Sequence, residues 1–164
     1  MDPHLELVNT EPLVLDLAEA LRRRGLCIAA AESCTGGLIA AACTAVAGSS
    51  DWFERGFVTY SNRAKTELLG VPEALLQAHG AVSEPVAMAM AAGALQRAPV
   101  QRAVAVTGIA GPGGAVPGKP VGTVWLALAQ PDRTEAWRLQ LDGDRAAVRH
   151  ATVVAALQAL RRSV

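Results

Sequence analysis

Ala31-Glu32-Ser33-Cys34-Thr35-Gly36-Gly37 is the stretch on which the reading of this chain turns. A short apolar run, Leu26-Cys27-Ile28-Ala29-Ala30, precedes it, and a second, Leu38-Ile39-Ala40-Ala41-Ala42, follows. The first reads as a buried strand over 26–31, the second as a helix to about Val46. Two hydroxyls, a thiol and two glycines therefore sit at a strand-to-helix turn. Such a turn aims free backbone N–H groups and the positive end of a helix dipole at one point. It can hold an anion or stabilise negative charge that develops during a reaction.

Upstream, Thr10-Glu11-Pro12 reads as a helix start with Thr10 as cap. Leu13, Leu17 and Leu21 then share one face, and Arg22-Arg23-Arg24-Gly25 closes the helix with positive charge and a glycine. Downstream, Phe57-Val58-Thr59-Tyr60 is a second strand. Ser61-Asn62 caps a helix carrying Lys65, Leu68 and Leu69, and a short helix spans 73–78. Ser83-Glu84-Pro85 opens a long helix to about Arg97, where Met88 and Met90 are packing residues. Ala103-Val104-Ala105-Val106-Thr107 lacks polar alternation and is expected to be a strand buried on both faces. Gly108 to Pro120 is rich in glycine and proline and reads as a loop. Strands over 122–129 and 134–141 form a hairpin, and Asp144 caps a last helix.

Helices alternating with strands, followed by a hairpin, predict an α/β fold. The expected architecture is a three-layer α/β/α sandwich with a five-stranded, mostly parallel mixed sheet. Residues 1–164 read as a single domain without linker or internal repeat. A ligand site is expected at the carboxyl ends of the parallel strands, where Ser33, Tyr60 and Thr107-Gly108 all fall.

Composition narrows the classes. Apolar residues make up 51% and aromatics only 4%, so alanine, valine and leucine must build the core. Fifteen basic residues balance fifteen acidic ones, which lacks the electrostatic footprint of a nucleic-acid binder. No apolar stretch reaches membrane-spanning length, and Met1-Asp2-Pro3-His4 does not open a signal pattern. Three cysteines, Cys27, Cys34 and Cys43, argue for a reducing cytoplasm rather than a disulfide framework, and their spacing suits no common zinc site. A small alanine-rich domain of this kind is expected to form a homo-oligomer, a dimer being the simplest.

Only Lys65 and Lys119 among the fifteen basic residues are lysines, and Tyr60 is the one tyrosine. An amine can lose its proton where a guanidinium cannot. Ser33 is the candidate nucleophile, with an oxyanion hole available from N–H groups around Cys34 to Gly37. His4, His79 and His150 are poorly placed as its base and read as packed or solvated. Lys65, near a helix start that disfavours an added proton, is the better base, and Tyr60 can relay the proton or polarise the serine. Cys34 is the rival nucleophile. The Gly108–Gly114 loop is neither a G-x-x-x-x-G-K-[ST] phosphate loop nor a dinucleotide fingerprint. Arg145 can hold a phosphate or pair with Asp142.

Several separated motifs occur together: Glu32-Ser33-Cys34-Thr35-Gly36-Gly37, Tyr60-Ser61-Asn62 with Lys65, Gly80-Ala81-Val82-Ser83, Thr107-Gly108-Ile109-Ala110-Gly111-Pro112, and Lys119-Pro120-Val121-Gly122. In this order, over about residues 11–162, the chain resembles the CinA C-terminal domain family. Departures are modest: Ala47, Arg55-Gly56 and Gln101-Arg102 replace residues common in the family. The resemblance implies a three-layer sandwich and hydrolysis of the carboxamide of nicotinamide mononucleotide to nicotinate mononucleotide and ammonia, in pyridine nucleotide recycling. It maps the motif serine, tyrosine and lysine to Ser33, Tyr60 and Lys65, and implies no metal or cofactor. An N-terminal molybdopterin-binding-like domain found in many family chains is not expected within 164 residues. Substrate contacts are expected from Glu32, Cys34, Thr35, Gly36, Gly37, Asn62, Thr107, Gly108, Gly111 and Arg145. A non-catalytic nucleotide-binding or regulatory module using the same pocket is the alternative.

Overall fold

The structure, a computed structural model, describes residues 9–164, so His4 lies outside the described residues. The sheet is organised around two strands, β1 (Ile28–Glu32) and β3 (Arg102–Gly108), which pair in parallel. β2 (Phe53–Val58) pairs in parallel with the other side of β1. β4 (Thr123–Gln130) runs antiparallel to β3, and β5 (Arg133–Gln140) antiparallel to β4. The order is β2-β1-β3-β4-β5. Only β4 runs against the rest, giving the expected mostly parallel sheet with one reversed strand.

Both faces are covered, and the alternation along β3 shows how. Val104 and Val106 point into a core with Val14, Leu17 and Leu21 of α1 (Glu11–Arg24), Ile39 of α2 (Leu38–Thr44), and Leu157 and Leu160 of α6 (Arg145–Arg162). Ala103 and Ala105 face the opposite core. That core holds Leu69 of α3 (Asn62–Leu69), Leu76 of α4 (Glu73–His79), and Val86 and Met90 of α5 (Glu84–Arg97). Larger side chains on one face and alanines on the other let α5 lie close to the sheet. No described helix is long and apolar enough to cross a membrane.

Several boundaries differ from the sequence reading, among them the end of β2, which stops at Val58 so that Tyr60 lies in the turn beyond it. β2 begins at Phe53 rather than Phe57, because it is an edge strand whose Glu54, Arg55 and Gly56 face solvent. Apolar patterning cannot find such a strand. Strand one spans 28–32 instead of 26–31, and α2 stops at Thr44. At the start of α1, Asn9 Oδ1 accepts from the Glu11 N–H at 3.1 Å, while the Thr10 side chain makes no capping bond. The Ser61 cap is present, its Oγ accepting from the Ala64 N–H at 3.0 Å. So is the Asp144 cap, with Oδ1 accepting from the Ala147 N–H at 2.9 Å.

Helix α5 carries a glycine for a steric reason. A Cβ at Gly93 would stand 2.0 Å from the carbonyl oxygen of Leu69. The backbones of α3 and α5 meet there, so α3 is seated by that contact. Gly93→Ala is expected to destabilise the fold by about 3 kcal/mol, the upper range for overpacking. Urea unfolding should read this, with a melting point roughly 10 °C lower.

Candidate active site

Residue 32 is the last of β1, flanked by β2 and β3, and its side chain is fully buried. A buried carboxylate must find donors, and the start of α2 supplies them. Glu32 Oε2 accepts from Thr35 Oγ1 at 2.6 Å and from the N–H groups of Gly37 and Ile39 at 3.0 Å each. Its Oε1 accepts from the Ala40 N–H at 2.8 Å. Glu32 and Thr35, expected to touch substrate, thus serve as the cap of α2.

This removes part of the anticipated oxyanion hole. The Gly37 N–H is spent on Glu32, and the Gly36 N–H donates to the Ser33 carbonyl at 3.0 Å. The glycines act instead through their backbones, with φ of 58° at Gly36 and 106° at Gly37, which side chains disfavour. Within the turn, the N–H groups of Cys34 and Thr35 donate to no backbone carbonyl among the described residues.

Ser33 is anchored by its own N–H, which donates to the Val106 carbonyl at 3.1 Å. The parallel β1–β2 pairing places the turn after β2 alongside it. Lys65, in the first turns of α3, is only 1% exposed. Its Nζ donates to Ser33 Oγ at 3.0 Å, to the Thr59 carbonyl at 2.9 Å and to the Tyr60 carbonyl at 3.4 Å. Lys65 has no carboxylate in an ion pair among the described residues. Burial pushes its pKa down to about 8, partly opposed by neighbouring Cys34. A lysine amine in this setting is neutral often enough near neutral pH to take a proton from a serine.

Tyr60 reaches the site through its carbonyl. The residue is 62% exposed, and its hydroxyl accepts from Arg145 Nη2 at 3.1 Å. Neither Ser33 nor Lys65 hydrogen bonds to that hydroxyl. Arg145 Nη1 donates to the Gly111 carbonyl at 3.0 Å, so the tyrosine, the last helix and the 108–120 loop are joined at the mouth. The alternative Arg145–Asp142 pair is not formed among the described residues.

Ser33, Cys34, Tyr60, Asn62, Lys65, Thr107, Gly108 and Arg145 line one cavity of about 190 Å³. Thr107 Oγ1 donates to the Ala81 carbonyl at 2.9 Å, fixing the segment that closes one wall. A Cβ at Gly108 would lie 2.6 Å from Val124 Cγ2 and 3.2 Å from Cys34 Sγ, so the cavity floor needs a glycine. A second cavity of about 620 Å³ shares Ala110 and Arg145 with the first.

The rival groups are less well placed. Burial pushes the Cys34 thiol up to about 11 and the Cys43 thiol to about 12, against thiolate chemistry at neutral pH. His79 is exposed at the end of α4 and His150 lies on α6; neither lines the cavity. Lys119 donates to the His79 carbonyl at 2.7 Å. No group of three or more metal-binding side chains occurs among the described residues.

One residue the sequence reading passed over stands at this turn. Arg149 of α6 donates from Nε to the Cys34 carbonyl and from Nη2 to the Thr35 carbonyl, both at 3.1 Å. It lies one helical turn after Arg145. That spacing, which puts both on one face of a helix, is the signal that finds it.

A family model for the CinA C-terminal domain matches residues 10–164. The chain is 55% identical over 148 residues to the Nicotinamide-nucleotide amidohydrolase PncC of Pseudomonas putida, covering 90% of this chain and 92% of that protein. It is 49% identical over 161 residues to a CinA-like protein of Syntrophobacter fumaroxidans, covering 98% of this chain. It spans only 38% of the length of that relative. Among solved structures, the competence/damage inducible protein CihA from Agrobacterium tumefaciens superposes with a TM-score of 0.90 at 47% identity, covering 93% of each chain.

Proposed function

The chain belongs to the CinA C-terminal domain family, and from that premise we propose that it hydrolyses the carboxamide of nicotinamide mononucleotide to nicotinate mononucleotide and ammonia. The observation that carries this reading is the buried Ser33–Lys65 pair, with Nζ 3.0 Å from Oγ. The substrate is suggested by the name of the Pseudomonas putida relative, a nicotinamide-nucleotide amidohydrolase.

In the proposed reaction Ser33 Oγ attacks the carboxamide carbon while neutral Lys65 takes the hydroxyl proton. The carbonyl oxygen becomes an oxyanion, held by the N–H groups of Cys34 and Thr35. The tetrahedral adduct collapses, the C–N bond breaks, and Lys65 returns its proton to the departing ammonia. Water then attacks the acyl-serine, Lys65 takes its proton, and collapse frees the acid and restores Ser33 and the amine. The Thr59 and Tyr60 carbonyls, which accept from Nζ, keep the amine aimed through both halves. Tyr60 contributes by that carbonyl and, with Arg145, by shaping the mouth. Asn62, Thr107, Gly108 and Arg145 contact the ribose and phosphate, with Arg145 facing both cavities. Three free cysteines suit work in the reducing cytoplasm.

Ammonia release from nicotinamide mononucleotide tests the reading. Turnover supports it; tight calorimetric binding without turnover overturns it in favour of a nucleotide-binding module. The pH dependence follows from Lys65. Its base form is the neutral amine, and its pKa is lowered to about 8. Between pH 6.5 and 9.5, kcat/KM is expected to rise with pH, about tenfold per unit well below 8, and to level above it. A profile flat from pH 6.5 to 8 would remove Lys65 as the base.

A further inference from the structure

We propose that Arg149 is a positioning residue for the oxyanion hole, holding the peptide between Cys34 and Thr35 so that its N–H meets the developing charge. The proposal rests on the amidase reading above and adds a residue to it.

The guanidinium of Arg149 makes no ion pair among the described residues. Its two hydrogen bonds go to consecutive carbonyls, those of Cys34 and Thr35. Arg149 is half-buried against the turn, and a Cβ at Gly36 would stand 3.6 Å from its Nη2. Other arginines here also bind backbone carbonyls, as Arg102 does at Ser163 and Arg138 at Gly118. Those carbonyls lie at a chain end and in an exposed loop. Arg149 alone grips the residue that follows the nucleophile.

The consequence comes from peptide geometry. A trans peptide is planar, with N–H and C=O opposed. Fixing the Cys34 carbonyl toward α6 therefore fixes the Thr35 N–H in the opposite direction. That N–H and the Cys34 N–H are the two in the turn that donate to no carbonyl and not to Glu32. Arg149 thus holds the carbonyls of Cys34 and Thr35, and on the other side of the turn Glu32 holds the Thr35 hydroxyl and the Gly37 N–H. The short segment between cannot rotate without breaking one grip. A donor held in place before the charge forms costs no reorganisation when it does. Arginine suits the task because its planar fork spans two acceptors, whereas lysine offers a point charge to one.

The test is steady-state kinetics of Arg149→Ala and Arg149→Lys on nicotinamide mononucleotide, with melting curves. Arg149→Ala is expected to lower kcat by roughly 100-fold, the lower end of the scale of a lost oxyanion donor, with KM changed less than about threefold. Arg149→Lys should recover part of kcat. A lower melting point with kcat intact would show a structural contact only and overturn the proposal. So would a raised KM at unchanged kcat, which would make Arg149 a phosphate ligand. Should Arg149→Ala not fold, Arg149→Lys carries the test, with kcat below wild type expected and wild-type kcat overturning it. If wild type releases no ammonia, the amidase reading fails by itself. Acylation of Ser33 by p-nitrophenyl acetate then decides the positioning role. Slowing of at least tenfold in Arg149→Ala supports it, whereas an equal rate, or no acylation of wild type, overturns it.

Discussion

Ser33→Ala is expected to lower ammonia release from nicotinamide mononucleotide by about 10,000-fold or more, and Lys65→Arg by a similar factor. Alanine removes the only atom that can form the acyl intermediate. Arginine keeps a positive charge but cannot give up a proton at any accessible pH, so the base is lost while the charge remains. In the proposed mechanism nucleophile and base act as one unit, so the double variant should be little worse than Ser33→Ala alone. That non-additivity separates a shared chemical role from two independent packing contributions. Ammonia should be measured in a coupled assay, with circular dichroism to verify folding. Either single variant keeping more than a tenth of wild-type activity would end the serine–lysine mechanism.

The largest effect on stability is expected at Glu32. Its carboxylate serves four donors, three of them backbone N–H groups at the start of α2. Glu32→Ala leaves all four in a fully buried place, with a cavity beside them. Each unsatisfied buried donor costs about 1–3 kcal/mol, and water entering the cavity offsets part of the sum. A net loss of about 4 kcal/mol is expected, or roughly 12 °C in melting temperature. Glu32→Gln keeps the shape and one acceptor oxygen but turns an NH2 group toward N–H donors. It should lose about half as much. Urea unfolding of the three proteins gives the order directly. A Glu32→Ala protein within 1 kcal/mol of wild type would mean that this carboxylate does not hold the turn. Activity should fall in the same order, since the free N–H groups of Cys34 and Thr35 sit in the segment that Glu32 caps.

The two predictions separate what kind of information each residue carries. Ser33 and Lys65, which meet at 3.0 Å, were legible as candidates because a serine at a glycine-rich strand-to-helix turn and a rare lysine at the next helix start are local patterns. Glu32 was legible only as part of a motif. Its role as a cap depends on burial between β2 and β3 and on where the α2 N–H groups point. Tyr60 was legible as a site residue, but its hydroxyl goes to Arg145 across the mouth and not to the serine. Arg149 lies 115 residues from Cys34 in the chain, and no local pattern relates them.

The same division holds for the fold. Apolar runs and turn residues determined the strands of the sheet centre, the helix caps at Ser61 and Asp144, and the alternation that implies a mostly parallel sheet. They also determined that the strand ends carrying Ser33, Tyr60 and Thr107 share one edge, because parallel strands end on the same side. The edge strand β2 escaped in its first half, since a strand facing solvent has no need of an apolar pattern. What only the tertiary structure decided is the allotment of hydrogen bonds at the turn. Which N–H groups of the turn stay free is decided by Glu32 and the Ser33 carbonyl, which take those of Gly37 and Gly36. The outcome depends on distances of a few tenths of an ångström between segments remote in the chain. Sequence patterns record which groups are available and on which face they lie; packing decides which of them are already taken.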